Sequence, residues 1–263
     1  MTPRSAAGVF ARVRGRLRRM FPRPTWEGVY QRYADVPARG GHERDFWIKG
    51  TVARTEEAMR RRGGTEDALP LVVVAGMVLR AAPRVRILDV GGGMGIAYVA
   101  LRRSLGAGVA LDHTVAELPR VCEVGRTLFE GDRSIRFVAV RTPAELPPGE
   151  FDVVYACGVL QYLEDPFDGL RRLLAYRAPY VVVSVLPAGD NPTYVTAQLN
   201  LRGSVVPCWM FRLSDVESVV RDAGYVVRAR AWSDMSLLRA YRTNAIPRDH
   251  RPERMVTLLL TDR

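Results

Sequence analysis

From Val85 to the C-terminus, short apolar runs alternate with stretches whose apolar residues recur at helical spacing. Val85–Val90 is the first run and reads as a buried strand, followed by a helix over about Gly95–Ser104. A second strand ends near Glu117, and Leu118-Pro119 opens a helix that runs to about Phe129. Ile135–Val140, Phe151–Cys157 and Tyr180–Val185 read as strands three to five, with a helix from Pro166 to about Tyr176 between the last two. Ser214 reads as the cap of a helix ending near Ala223, with Glu217 three residues on to complete a capping box. Tyr225–Trp232 and Met255–Thr261 are strands six and seven. Such alternation predicts an α/β domain over residues 84–263, a seven-stranded Rossmann-like sheet with helices on both faces.

Upstream the pattern changes. Residues 25–83 read as an N-terminal helical cap. One helix spans Glu43–Arg62 and stops at Gly63-Gly64; another spans Thr65–Ala82, with Thr65 as cap and Asp67 in the first turn. Pro70 falls early in that helix, where proline does least damage. Trp26, Tyr30, Tyr33, Phe46 and Trp47 concentrate aromatic rings in this segment, as an aromatic lid or as ordinary packing on a sheet edge. Residues 1–24 are a basic tail closed by Pro22 and Pro24. Val9, Val13, Leu17, Met20 and Phe21 fall near one helical face of residues 1–22, a pattern suited to peripheral membrane contact, to nucleic acid or to a disordered tail.

The densest chemical signal is Asp89-Val90-Gly91-Gly92-Gly93-Met94-Gly95, a glycine turn between the first strand and its helix. Without Cβ atoms such a turn lets a ligand lie against the backbone. A dinucleotide fingerprint demands G-x-G-x-x-G, and Ile96 and Met94 break both possible frames. The D-x-G-x-G-x-G pattern instead resembles motif I of the class I S-adenosylmethionine-dependent methyltransferases. That resemblance implies S-adenosylmethionine as cofactor, an antiparallel last strand, and Gly91, Gly92, Gly93 and Gly95 against the methionine and ribose. It also implies that Asp89 helps hold the amino group.

A ribose diol calls for a carboxylate about 20 residues after the glycines. Asp112 and Glu117 compete, and Glu117 is preferred because Glu117-Leu118-Pro119 resembles the strand-two ending of several methyltransferase families. No acid stands directly after strand three, so adenine falls to apolar packing, backbone groups or Glu145. At strand four, Cys157-Gly158-Val159-Leu160-Gln161-Tyr162-Leu163 resembles a bacterial methyltransferase branch often found near surface-polysaccharide genes. Trp26-Glu27-Gly28-Val29-Tyr30, Gly125, Gln198 and Pro207-Cys208-Trp209 resemble the same branch. The resemblance brings Cys157, Gly158 and Gln161 to the methionine end of the cofactor. One departure is Ser184-Val185-Leu186-Pro187, where the branch often carries Arg-Thr-Pro.

Composition then limits the partners. The net charge of +11 comes almost wholly from arginine, with Lys49 the single lysine. Charge alone reports non-specific attraction, and no RNA-binding module or RNA catalytic motif is legible. Cys122, Cys157 and Cys208, with His42, His113 and His250, lack metal-site or disulfide spacing, so no metal is expected and reduced thiols in a cytoplasmic enzyme are. The expected function is methyl transfer to a small-molecule or glycan acceptor, at oxygen. An RNA methyltransferase or a non-catalytic binding module on the same fold are the alternatives. Tyr162, Asp165, His42, His113 and Tyr30 are weak candidates for a base, and none is assigned. Oligomeric state is left open.

Overall fold

The computed structural model describes residues 24–60, 68–201, 203–234, 243–252 and 254–262. In chain order the elements are β1 (Trp26–Tyr30), α1 (Asp45–Arg60), α2 (Leu69–Leu79), β2 (Arg84–Val90) and α3 (Ile96–Leu105). Then come β3 (Ala110–Glu117), α4 (Pro119–Leu128), β4 (Ile135–Ala139), β5 (Val153–Cys157), α5 (Pro166–Leu174) and β6 (Tyr180–Gly189). The chain continues through β7 (Tyr194–Gln198), β8 (Val206–Arg212), α6 (Leu213–Asp222), β9 (Tyr225–Asp234) and β10 (Arg254–Asp262).

All seven predicted strands are present, in the order β4-β3-β2-β5-β6-β10-β9. β10 runs antiparallel to both β6 and β9, while β3, β4, β2, β5 and β6 are parallel where they pair. The sheet has ten strands rather than seven, because β1, β7 and β8 form an antiparallel extension hung on the end of β6. β1 escaped notice because Trp26-Glu27-Gly28-Val29-Tyr30 is short and contains a glycine at φ 78°. The segment read as a helical cap thus opens with a strand. β7 is only five residues long, and β8 is apolar from Val206 to Phe211 with a proline at its second position, so neither gives a clear strand signal.

The strands of the wound core are buried on both faces, as parallel sheets require. On β2, Val85 and Ile87 face a layer that includes α2 and α3, while Leu88 and Val90 face the core that holds Leu170, Leu173 and Val220 of α5 and α6. β2 lies between β3 and β5, so the connections leaving β2 and β5 diverge, which opens a crevice at the carboxyl ends of the strands.

Two local expectations fail. Ser214 lies inside α6, whose N-cap is Arg212 with no side-chain cap, and Glu217 pairs with Arg230 of β9 instead of closing a box. The chain reaches α6 directly from β8, so no loop residue is available to cap it. The basic residues 1–22, the Gly63-Gly64 stop and Thr65 with Asp67 lie outside the described residues. No helix among the described residues is long and apolar enough to cross a membrane.

Gly125 of α4 shows how tightly the layers meet. A Cβ there would lie 2.4 Å from Cε1 of Phe137 on β4, which is itself buried. Gly125→Ala therefore forces α4 off the sheet, and urea denaturation should read a loss of about 1–3 kcal/mol. A variant as stable as the parent would mean that the helix shifts freely.

Candidate functional site

The crevice is a cleft of about 1160 Å³. Its floor is the glycine turn. Gly91, Gly93 and Gly95 all have positive φ, at 69°, 57° and 76°. Gly92 lacks that need but has no room: a Cβ would sit 2.3 Å from Oδ2 of Asp89. The Asp89 carboxyl thus tucks beneath the turn that follows it. Met94 is fully buried with Ile48 of α1 and Val121 of α4, which fastens the turn, while Gly91, Gly92 and Gly93 line the cleft.

Asp89 is fully buried, and the partner for its carboxyl is His113. Side chains alternate along strands, so Asp89 shares a face with Val85 and Ile87, and His113 on β3 is paired at Cα with Ile87. The two meet diagonally, with His113 Nε2 3.1 Å from Asp89 Oδ2. Oδ1 of Asp89 has no partner among the described residues, and Asp89 lines the cleft. His113 therefore does not line the cleft as a base; it braces the acid beneath the turn.

Glu117 ends β3 at the cleft wall, 9% exposed. Burial, with the charges of Asp89 and Glu43 nearby, raises its carboxyl from 4.5 to about 7, against the lowering effect of the Leu118 backbone N–H. The competing Asp112 is near the other end of β3, exposed and paired with Arg136 at 2.7 Å, and it does not line the cleft. After β4, Val140, Arg141, Thr142, Pro143 and Leu146 line the cleft, whereas Glu145 turns back to accept from the Arg141 backbone N–H at 2.9 Å.

Across from Glu117, the end of β5 brings Cys157 and Gly158 to the cleft, with Gly158 at φ 62° donating its N–H to Ser184 O. Gln161 follows in a 3-10 turn, 4% exposed. Its Nε2 donates to Val185 O at 3.3 Å, which fixes the amide's orientation because a carbonyl can only accept. Its Oε1 is left buried without a partner. The nine residues singled out by sequence, Asp89, Gly91, Gly92, Gly93, Gly95, Glu117, Cys157, Gly158 and Gln161, fall at three neighbouring strand ends, and all but Gly95 line the cleft. Gly95 starts α3, where a Cβ would press on Phe129 and Ile135.

Several lining residues carried no legible signal. Thr51, Arg54 and Glu57 of α1, Met255 of β10, and Asn200 after β7 reach the cleft by tertiary packing alone. Of the five aromatic residues before the core, Trp26 and Trp47 line the cleft, while Tyr33 donates to Tyr162 O at 2.9 Å. Tyr30 and Phe46 do not line it. His42 packs edge-on against Tyr162 (4.6 Å between ring centres) and Trp47 (5.3 Å), and burial lowers its pKa to about 4. Asp165 caps α5 by accepting from the Asp168 N–H at 2.8 Å. Among the described residues no group of His, Cys, Asp and Glu is arranged to hold a metal ion, and the three cysteines are unlinked.

No protein-family model matches this chain, and no curated protein does. Solved structures do match it. The Burkholderia thailandensis 1,6-didemethyltoxoflavin-N1-methyltransferase, solved with 1,6-didemethyltoxoflavin and S-adenosylhomocysteine, is 16% identical, with a TM-score of 0.50 over 87% of this chain and 92% of that one. The fold is that of the class I methyltransferases. The [4+2]-cyclase SpnF matches at 14% identity and a TM-score of 0.53, over 86% of this chain and 98% of its own. The N-terminal domain of EvdMO1, solved with S-adenosylhomocysteine and D-fucose, matches at 16% identity and 0.51, over 85% and 99%. The methyltransferase fold therefore supplies the wound core and the crevice, and the residues above decide what occupies it.

The raised Glu117 carboxyl has a sign that can be checked. A carboxyl pKa that rises on folding favours the protonated form, so stability falls as pH climbs from about 4.5 to about 7 and stays lower above that. The full rise is worth about 3 kcal/mol against the ionised form. Glu117→Gln should therefore stabilise the fold by roughly 1–3 kcal/mol at about pH 8 and by nothing at about pH 4, read by urea denaturation. Equal stability at the higher pH would mean that Glu117 ionises without cost.

Proposed function

We propose that this protein binds S-adenosylmethionine in the cleft and transfers its methyl group to an oxygen of a small-molecule or glycan acceptor. The observation that carries the reading is the pair of orphaned buried oxygens, Asp89 Oδ1 and Gln161 Oε1, in a cleft floored by glycines. Buried acceptors without donors cost about 1–3 kcal/mol each, and an ammonium group supplies the donors they lack. Glu117, a carboxylate at the end of β3, suits a ribose diol. Val140, Pro143 and Leu146 offer apolar surface to a purine ring. A larger side chain at Gly91 would run into Val159, 2.5 Å from the Cβ position, so the turn stays open to a ligand. The donor set and the cradle fit the cofactor that the motif implies.

When bound, that cofactor supplies a methyl group activated by a sulfonium. The chain's part is to hold the acceptor oxygen in line with it, which lowers the barrier through positioning. His42 is the free nitrogen base on the acceptor side, but a pKa of about 4 makes it a weak one, so positioning must carry most of the rate. Cys208, pushed up to about 12 by burial, is inert as an acid or nucleophile at neutral pH. The resemblance of Leu160-Gln161-Tyr162-Leu163 to the polysaccharide-associated branch supports a glycan-sized acceptor.

Calorimetry with S-adenosylhomocysteine tests the cofactor half. The parent should bind, and Asp89→Asn and Glu117→Gln should each weaken binding at least tenfold, about 1.4 kcal/mol. Circular dichroism controls for folding. A folded parent that fails to bind, or variants that bind as the parent does, would remove the assignment.

A further inference from the structure

We propose that Gln198 is the specificity-determining residue of an acceptor subsite built for an uncharged, hydroxyl-bearing ring of the sugar class. This rests on the reading that the other half of the cleft holds S-adenosylmethionine.

Gln198 is the last residue of β7, paired in register with Trp26 of β1 and Val206 of β8. It is 5% exposed and lines the cleft. Its Nε2 donates to Asn200 Oδ1 at 2.8 Å, and its Oε1 is buried with no partner among the described residues. This third orphaned oxygen differs from Asp89 Oδ1 and Gln161 Oε1 in where it comes from. Those two belong to β2 and the turn after β5, whereas Gln198 belongs to the antiparallel extension. A donor that satisfies it has to lie in the cleft beside the extension. An O–H group has the required polarity.

Among the described residues the wall around Gln198 is uncharged. Trp26, His42, Tyr162, Asn200, Cys208 and Met255 line that side, and none carries a formal charge at neutral pH, since His42 is held to about 4 and Cys208 to about 12. The ionic residues that line the cleft come from elsewhere: Asp89, Glu117 and Arg141 from the ends of β2, β3 and β4, and Arg54 and Glu57 from α1. A phosphate or carboxylate brought against the extension would be desolvated with no cation among the described residues of that wall to meet it. A neutral ring fits better: its C–H faces pack on the rings of Trp26 and Tyr162, and a hydroxyl donates to Gln198 Oε1.

Saturation-transfer NMR on the full chain saturated with S-adenosylhomocysteine tests this. The probes are neutral p-nitrophenyl hexosides of several configurations, p-nitrophenyl glucuronide and glucose 6-phosphate. At least one neutral hexoside should bind, with both anionic probes at least tenfold weaker. Gln198→Met, which keeps volume and removes the amide, should weaken that hexoside at least tenfold while the affinity for S-adenosylhomocysteine changes less than twofold. Gln198→Asn, which keeps the amide but withdraws its oxygen by one methylene, should also weaken that hexoside at least tenfold, and it serves as the check if the Met variant misfolds. The inference is overturned by preference for an anionic probe, by Gln198→Met binding as the parent does, or by no hexoside binding while S-adenosylhomocysteine binds. Failure of the parent to bind S-adenosylhomocysteine instead removes the reading on which the subsite rests.

Discussion

A fully buried carboxyl at the end of the first core strand organises this molecule. Asp89 has zero exposure, and a buried acid without a partner would cost several kcal/mol. His113 on the next strand provides the partner, and the strand register brings it there without a loop or a bulge. The consequences spread outward. With Oδ2 engaged by His113, the carboxyl lies under Gly92 and leaves that position no space for a side chain. The turn above it then runs through three positive φ angles, which glycine alone adopts without strain. What remains on the cleft side is one unpartnered oxygen, Oδ1. The same contact that makes the acid tolerable inside the fold also aims its remaining acceptor.

The cleft's two halves have different origins. One half is the methyltransferase fold itself: strand ends, a glycine turn and a carboxylate at the end of β3. The other is assembled from pieces outside the wound core, namely β1, β7, β8 and the loop that carries His42. Trp26 is 2% exposed in a cluster with Tyr194, Cys208, Met210 and Met255, so the extension has a small core of its own. Ionisable groups follow this division. The core strands and α1 bring carboxylates and guanidinium groups, and the extension brings amides, rings and a buried thiol.

This division also decides what could be read from the chain. The wound core was legible because its strands are short apolar runs separated by helices of clear period, and because Asp89 to Gly95 constrains backbone and space together. Glu117 was legible by distance from the glycines, and its geometry at the cleft separates it from Asp112, whose side chain is tied to Arg136. His113 read only as a histidine in or beside a strand, since its role depends on a diagonal neighbour 24 residues away. β7 is five residues long and β8 is an apolar run from Val206 to Phe211 broken by Pro207, so periodicity could not distinguish them from loop or core helix. Ser214 misled because a capping pattern is local, whereas α6 begins at the end of a strand that tertiary pairing had already fixed. Met255 and Trp47 reach the cleft through long-range packing that no spacing encodes.

The join between the two halves is a single irregularity in β6. Ser184 and Val185 together stand opposite Thr257 of β10, since Val183 pairs with Leu258 and Leu186 with Val256. Two residues against one is a β-bulge, and it bends the strand that carries it. Val185 adopts φ 54° there, a conformation that a β-branched residue rarely takes and that costs about 1–3 kcal/mol. The surroundings hold it in place: Gln161 donates to its carbonyl, Gly158 donates to the carbonyl of Ser184, and Ser184 Oγ meets Thr257 Oγ1 at 2.8 Å. Past the bulge, Ala188 and Gly189 pair with β8, which is how the extension comes to hang on the core. A regular β6 would leave Val185 Cβ pointing elsewhere and Gln161 without the carbonyl that orients its amide. The strain is therefore located where the strand-end half of the cleft meets the wall that carries Gln198, and the hydrogen bond that offsets it also turns Gln161 Oε1 away from Val185.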